Sequence, residues 1–283
     1  MGNAVLDGVF RACSGGPLRS ASLMLVSLFV AGPPAIAASG EDLQVASQNP
    51  VAALISVPFQ NNLYFGGDYD EPLYVMNAQP VVPLTLNEDW NFIVRPIVPL
   101  ISEPGLVPAQ SRETGLGDIV LETFLTPTRP FEVGDATVTV GLGPAFTFPT
   151  HSRDRLGSRN YSAGPAFVTF VAQGSFTYGL LLINQWSYAG PDDEKATNQM
   201  TLQPFINYNL KRGWSLLSAP LASINWNASQ DRVTLPIGGG VSKLTQIGGM
   251  PIKFGVSTYY NALRPEVGPD WQAQFSIALL FPE

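Results

Sequence analysis

Few residues in this chain could do chemistry, and they are scattered. The single histidine, His151, is followed by Ser152 and then by Asp154, a grouping that invites a hydrolase reading. Neighbouring residues on a strand point to opposite faces, so His151 and Ser152 could pair only within a loop. The spacing does not supply the base–orienter geometry that a triad requires, so no catalytic residue is assigned and no enzyme is expected. His151 is expected to be a solvated loop residue. One His and one Cys exclude metal sites built on several such ligands and leave only all-carboxylate cation sites. Asp192, Asp193 and Glu194 could form one, but a solvated acidic loop is the simpler reading. No metal and no cofactor is expected. Gly238-Gly239-Gly240 lies in an apolar run with no helix after it, so it reads as a packing or bulge feature, not a phosphate loop.

The charges inside apolar, alternating segments carry more information: Arg95, Asp118, Glu122, Lys243 and Lys253. A charge facing lipid at mid-bilayer costs about 2–4 kcal/mol, so each should face a lumen or sit near a strand end. Arg95 and the two acids fall on one face if their strands pair about a loop near 107–108. That register puts Arg95 opposite Val120, with Asp118 and Glu122 as diagonal neighbours. The expectation is a lumen cluster of one base and two acids that narrows a pore and leaves it mildly cation-selective. A salt bridge that only braces the wall is the plainer alternative. Gln199, Gln203 and Asn207 are further candidates to line the pore.

The elements that must hold these residues read as strands. After Pro50 the sequence alternates at period two, broken by turn residues, in twelve segments: 51–65, 72–86, 90–101, 116–127, 136–149, 159–173, 175–189, 197–210, 214–227, 232–245, 251–262 and 271–282. Each has about the length of a tilted transmembrane strand. In 197–210 the face Thr197, Gln199, Thr201, Gln203, Phe205, Asn207, Asn209 is mostly polar, and the other face is mostly apolar. Aromatics sit at both ends of the apolar faces. Trp214 and Trp226 are twelve residues apart on one face, roughly 28 Å at strand rise and tilt, close to the separation of the aromatic girdles of a membrane barrel. Trp186 and Tyr188, paired with Phe176 and Tyr178, and Trp271 with Phe281, repeat the arrangement. A soluble sandwich alternates as well, but has no reason to place aromatics at two levels. Connections are by turns tight (87–89, 173–174, 211–213, 246–249) and longer and charged (66–71, 102–114, 151–158, 190–195, 263–270). The fold expected is therefore all-β: a transmembrane antiparallel up-and-down β-barrel of about 12 strands. Its lipid-facing bands imply outer-membrane lipid and the barrel-assembly machinery as partners.

The N-terminus fits export. Arg11 and Arg19 give a positive start, 21–31 is an apolar core, and Ala35-Ile36-Ala37 is a cleavage site. Eleven apolar residues are too few for a spanning helix, which needs about 20. Residues 1–37 are thus expected to be a signal peptide, 38–49 a periplasmic segment, and 50–283 the barrel in the cell outer membrane. Cleavage would remove Cys13, Asp7, Arg11 and Arg19, taking 15 basic and 22 acidic residues to 13 and 21, a net charge of −8. An acidic chain with 13% charged residues is neither disordered nor suited to nucleic acid.

An internal repeat ties the halves together. Met76, Gln79, Pro80, Leu86, Trp90 and Pro96 match Met200, Gln203, Pro204, Leu210, Trp214 and Pro220, each offset by 124. Two six-strand halves from one duplicated unit would explain it. Pro80 should then face Pro96, and Pro204 face Pro220, across neighbouring strands. Mid-strand prolines remove ladder donors and are expected at bulges.

Other motifs carry a family resemblance. They are Asn184-Gln185-Trp186-Ser187-Tyr188-Ala189-Gly190, Leu202-Gln203-Pro204-Phe205, Gly213-Trp214, Val233-Thr234-Leu235-Pro236-Ile237, Gly240-Val241-Ser242-Lys243, Ile247-Gly248-Gly249-Met250-Pro251, Tyr259-Tyr260, Leu279-Leu280-Phe281-Pro282 and, in the first half, Gly115-Leu116-Gly117-Asp118-Ile119. Together they resemble a proteobacterial outer-membrane family filed as putative transporters, sometimes as neuromedin U. This group is similar to the one named for the meta-pathway of phenol degradation. The resemblance implies a transporter, and only through the family name aromatic or hydrophobic solutes. Family acids in the strand ending at Trp226 are replaced here by Ser223 and Asn225.

The function expected is a narrow passive channel for a small-molecule solute. Eight strands close around side chains and sixteen to eighteen leave an open aqueous pore, so about twelve should leave a constricted one. The alternatives are a structural or adhesive barrel acting through its loops, and an outer-membrane lipid hydrolase.

Overall fold

The computed structural model describes residues 40–67, 69–105, 110–266 and 268–282. The expected signal peptide lies outside these residues.

The chain forms one antiparallel sheet closed on itself. β1 (Ile55–Gly66) pairs with β2 (Tyr69–Ala78), which runs on as β3 (Val82–Thr85). Next come β4 (Trp90–Glu103), then β5 (Glu113–Leu116), β6 (Ile119–Pro127) and β7 (Phe131–Val133) as successive parts of one wall position. β8 (Ala136–Phe148), β9 (Tyr161–Gln173), β10 (Phe176–Ala189) and β11 (Asn198–Asn209) follow. β12 (Trp214–Ser218) and β13 (Ala222–Asn225) share a position, and β14 (Val233–Ile247), β15 (Met250–Leu263) and β16 (Trp271–Phe281) complete the circuit. β16 pairs with β1 over eleven positions, which leaves no free edge. The wall thus has the twelve positions expected, each overlapping its predicted segment; the β7 hairpin arm is an addition that the alternation did not reveal.

Turns alternate as expected. Gly134, Gly174, Gly213, Gly248 and Gly249 have positive φ in the short turns. Between β14 and β15 the two residues Gly248 (φ 59°) and Gly249 (φ 84°) make the whole connection, a conformation open to glycine at low cost. By the outer-membrane convention the short turns mark the periplasmic end and the longer connections the extracellular end.

The repeat gives the correct register. Ala78 pairs with Val98 and Val82 with Val94, so Pro80 lies opposite Pro96. Ile206 pairs with Ser218 and Leu202 with Ala222, so Pro204 lies opposite Pro220. Both pairs fall where a strand is interrupted, since neither proline has an N–H to offer. Pro144 faces Pro165 in a third such pair.

Two findings differ from the sequence expectation. The first wall strand starts at Ile55, not at 51. Residues 40–54 instead run along the inside of the barrel at its periplasmic end, beginning with the helix α1 (Gly40–Ala46). Val51 is buried among Val81, Ile93, Phe124, Ala145, Ala166, Val168, Leu181 and Ile183. Gly141 makes room for it: a Cβ there would lie 3.3 Å from Val51 Cγ1 and 2.8 Å from Val168 Cγ1. The second finding is that this cluster fills one side of the interior, so the inner face is not uniformly polar. Ile93, Phe124 and Leu181 point inward while Leu125, Leu142 and Phe167 point to lipid, Leu142 with 62% exposed.

Candidate solute pathway through the lumen

Inward positions recur at period two around the wall, and what remains unfilled beside the apolar cluster is a run of chambers. At the extracellular end, Asn225, Asn227, Arg232 and Gln199 border a mouth of about 640 Å³. Below it a chamber of about 310 Å³ is bounded by Tyr64, Thr201, Leu221, Pro236 and Gln272. The next, about 220 Å³, has two unlike sides. Ile97, Val120, Leu181 and Ile183 form one, and Gln60, Asn62, Gln203, Gln272 and Gln274 the other. The lowest, about 210 Å³, ends on Ser47, Gln48, Asn49 and Pro50 of the N-terminal segment. Consecutive chambers share residues, Gln203 and Gln274 joining the lower two and Leu221 and Gln272 the next pair.

The charged centre of this path is Arg95. Its Nη1 donates to Glu122 Oε2 at 3.1 Å and its Nη2 to Gln79 Oε1 at 2.7 Å, while Gln79 Nε2 donates to Gln60 Oε1 at 2.9 Å. Arg95 and Glu122 are direct cross-strand partners. This corrects the expected register, in which Arg95 faced Val120. The β4–β5 pairing already lies one position from a symmetric loop count, and the separation of β5 from β6 at Gly117-Asp118 adds a second.

Asp118 therefore does not join the lumen cluster. It lies at the extracellular rim, where Oδ1 is 2.6 Å from His151 Nδ1 and accepts the His151 backbone N–H at 3.1 Å. Its Oδ2 accepts the Ser158 N–H at 2.6 Å. His151 is thus not solvated: its side chain is 9% exposed and paired. Ser152 bonds the backbone of Leu116 instead of the imidazole. Asp118 is the anchor of the 150–158 connection. We expect Asp118→Ala to speed tryptic cleavage at Arg153 and Arg155 about tenfold, because the bonds that close that loop go with it; an unchanged rate, read by mass spectrometry of intact protein, would contradict the anchoring role.

The other candidates spread along the axis. Gln199 borders the mouth, Gln203 the two lower chambers, and Asn207 the lowest, where its Nδ2 donates to Thr177 Oγ1 at 3.0 Å. Lys253 faces inward and its Nζ donates to Ser47 O at 3.4 Å. Lys243 faces outward near the periplasmic end, 5.1 Å from the Trp214 ring centre, with its ammonium bonded to Arg212 O. Asp193 and Glu194 bind Arg159, and hydrogen bonds from that guanidinium hold the Asp193 carboxyl below the usual carboxylate range. Trp186, Tyr188, Trp226 and Trp271 are exposed near the extracellular ends of their strands, and Trp214 and Phe281 near the periplasmic ends. Trp90 belongs with the second group and was not anticipated.

The period-two pattern gave no hint of what the N-terminal segment does. Gln44 Nε2 donates to Trp214 O and Ser215 Oγ, both at 2.8 Å, and to Asn209 Oδ1 at 3.2 Å. Gln48 Nε2 donates to Asn209 Oδ1 at 2.7 Å and to Ser215 Oγ at 3.1 Å, and its Oε1 accepts from Thr177 Oγ1 at 2.6 Å. The spacing Gln44–Gln48, one helical turn apart, was the available signal.

No family model and no curated relative match the sequence. Solved structures do. The COG4313 outer membrane channel from Pseudomonas putida F1 is 14% identical with a TM-score of 0.59, over 81% of this chain and 94% of that one. The NanC porin (10%, TM-score 0.49, 80% and 98%) and the outer membrane phospholipase A of Escherichia coli (11%, 0.43, 80% and 95%) also match. The first likeness confirms the fold: an outer-membrane type of β-barrel.

Proposed function

We propose that this chain is an outer-membrane channel that passes small solutes passively through its lumen. The observation that carries this reading is the run of adjoining chambers from the extracellular mouth to the N-terminal segment. A barrel that served only as a support would gain stability by filling that space. Arg95 is neutralised by Glu122, so the chamber that both line is without net charge and favours uncharged solutes. The apolar side formed by Ile97, Val120, Leu181 and Ile183 suits a solute with one hydrophobic face. The motif resemblance to the phenol-degradation meta-pathway family points the same way, towards small aromatic molecules. Gln199, Gln203 and Asn207 are proposed to hand the polar edge of the solute along the path, with outer-membrane lipid around the aromatic bands.

The test is swelling of proteoliposomes in small uncharged polyols and sugars. Permeation is expected for solutes of about the size of a pentose, with a steep fall for disaccharides. Equal exclusion of every solute, with the barrel folded by heat-modifiable migration, would overturn the channel reading.

A further inference from the structure

Near mid-membrane the wall has a stretch whose ladder is missing on both sides. Backbone groups at bilayer depth must be bonded inside the protein, so a membrane barrel normally keeps its ladder unbroken. Between β12–β13 and β14 the ladder stops after Leu217↔Gly240 and resumes at Ser223↔Thr234, without a change of register. Residues 218–222 thus run beside 235–239 with no paired positions. On the other side, β11 loses the same stretch between Ile206↔Ser218 and Leu202↔Ala222. Residues 219–221 lie midway between Trp214 and Trp226, hence near mid-membrane.

Prolines alone do not account for this. Pro80, opposite Pro96, interrupts a strand in the first half as well, yet there Gln79–Val81 keeps its backbone bonds to β1: Gln79 N donates to Pro58 O, Val81 N to Ser56 O and Ser56 N to Val81 O. At 219–221 side chains do the work instead. The Ala219 N–H donates to Tyr259 Oη at 3.2 Å, Gln203 Nε2 donates to Ala219 O at 3.3 Å, and Ser218 Oγ donates to Gly238 O at 2.6 Å. In the flanking register Ser218 faces Gly239 and Ala219 faces Gly238, small residues on both sides, while Pro220 faces Ile237. Ala219, Leu221 and Pro236 border the middle chambers, so only this stretch of backbone separates them from lipid.

We propose that the seam between 218–222 and 235–239 is a lateral portal through which small apolar solutes pass between the lumen and the bilayer core. It rests on the channel reading and gives the apolar solutes an exit that avoids the N-terminal segment. Side-chain bonds can swing aside where a ladder cannot, and both proline and glycine remove what would otherwise re-form it.

The test is a reversible staple, Leu221→Cys with Pro236→Cys, in full-length protein carrying Cys13→Ser. The two positions face each other across the seam in the register of the flanking pairs. Ile224→Cys with Val233→Cys, a pair at the extracellular end of the same strands, is the control. Cells expressing each are given N-phenylnaphthylamine, an apolar probe that fluoresces in lipid, and separately a small polar sugar. Oxidation of the seam staple is expected to slow probe uptake about fivefold, reversed by reductant, with sugar uptake changed less than about twofold. Probe uptake indifferent to the staple, equal loss of probe and sugar uptake, or equal slowing by the control staple would each overturn the portal. Sugar excluded while probe uptake still depends on the staple would overturn the channel reading and leave the portal standing. Neither solute taken up faster than by cells without the protein would overturn both.

Discussion

Deleting residues 38–49 should raise single-channel conductance in planar bilayers about fivefold or more. The lowest chamber ends on Ser47, Gln48, Asn49 and Pro50, so the N-terminal segment is the obstacle on the periplasmic side. It is held by neutral hydrogen bonds from Gln44 and Gln48 to Asn209, Ser215 and Thr177, and by Lys253 at Ser47 O. Each such bond contributes about 1 kcal/mol, which is enough to keep the segment seated and little enough to release it. The point variant Gln44→Ala with Gln48→Ala keeps Val51 in the apolar cluster and so keeps the barrel intact. It should flicker between the low and the raised level. Conductance of the deletion equal to that of the intact chain would show that the segment blocks nothing.

The second large effect is expected at Arg95. Arg95→Ala removes the ionic partner of Glu122, whose side chain is 5% exposed. A buried acid without its base costs about 3–5 kcal/mol, so the unfolding midpoint in urea should fall sharply. Arg95→Met with Glu122→Met removes both charges and should recover most of that loss. The reversal potential separates a role in passage from bracing. With a single acid in the chamber, Arg95→Ala should shift preference towards cations, and the double variant should show no shift. If Arg95→Ala unfolds no earlier than the parent and its reversal potential is unmoved, the pair matters for neither.

Much of the fold was legible because membrane barrels write it in period two. Strands 197–210 and 271–282 alternate cleanly, and Trp271 and Phe281 stand at the two ends of the second. The offset of 124 even gave the register of two hairpins, since Pro80 and Pro204 fall at equal distances from their turns. The apolar half of the interior was not legible. In β4 and β10 both faces are apolar, so Ile93, Leu181 and Ile183 give no alternation to read. The Arg95–Glu122 pairing was half visible: the face was right, but the register lay two positions away, one of them introduced at the break at Gly117-Asp118. The plug was invisible for another reason. Its glutamines bond residues more than 120 positions away, and seven helical residues after an expected signal peptide look like a linker.

The central claim is a lumen open to the outside and narrowed below by the N-terminal segment. Single cysteines at Gln203 and Thr177, in a Cys13→Ser background, test it with a membrane-impermeant thiol reagent applied to whole cells. Gln203→Cys, in the chambers, should react in the intact chain, whereas Thr177→Cys, beneath Gln48 and fully buried, should react only after residues 38–49 are deleted. Equal reaction of both cysteines in the intact chain, or no reaction at Gln203→Cys in either form, would contradict the account.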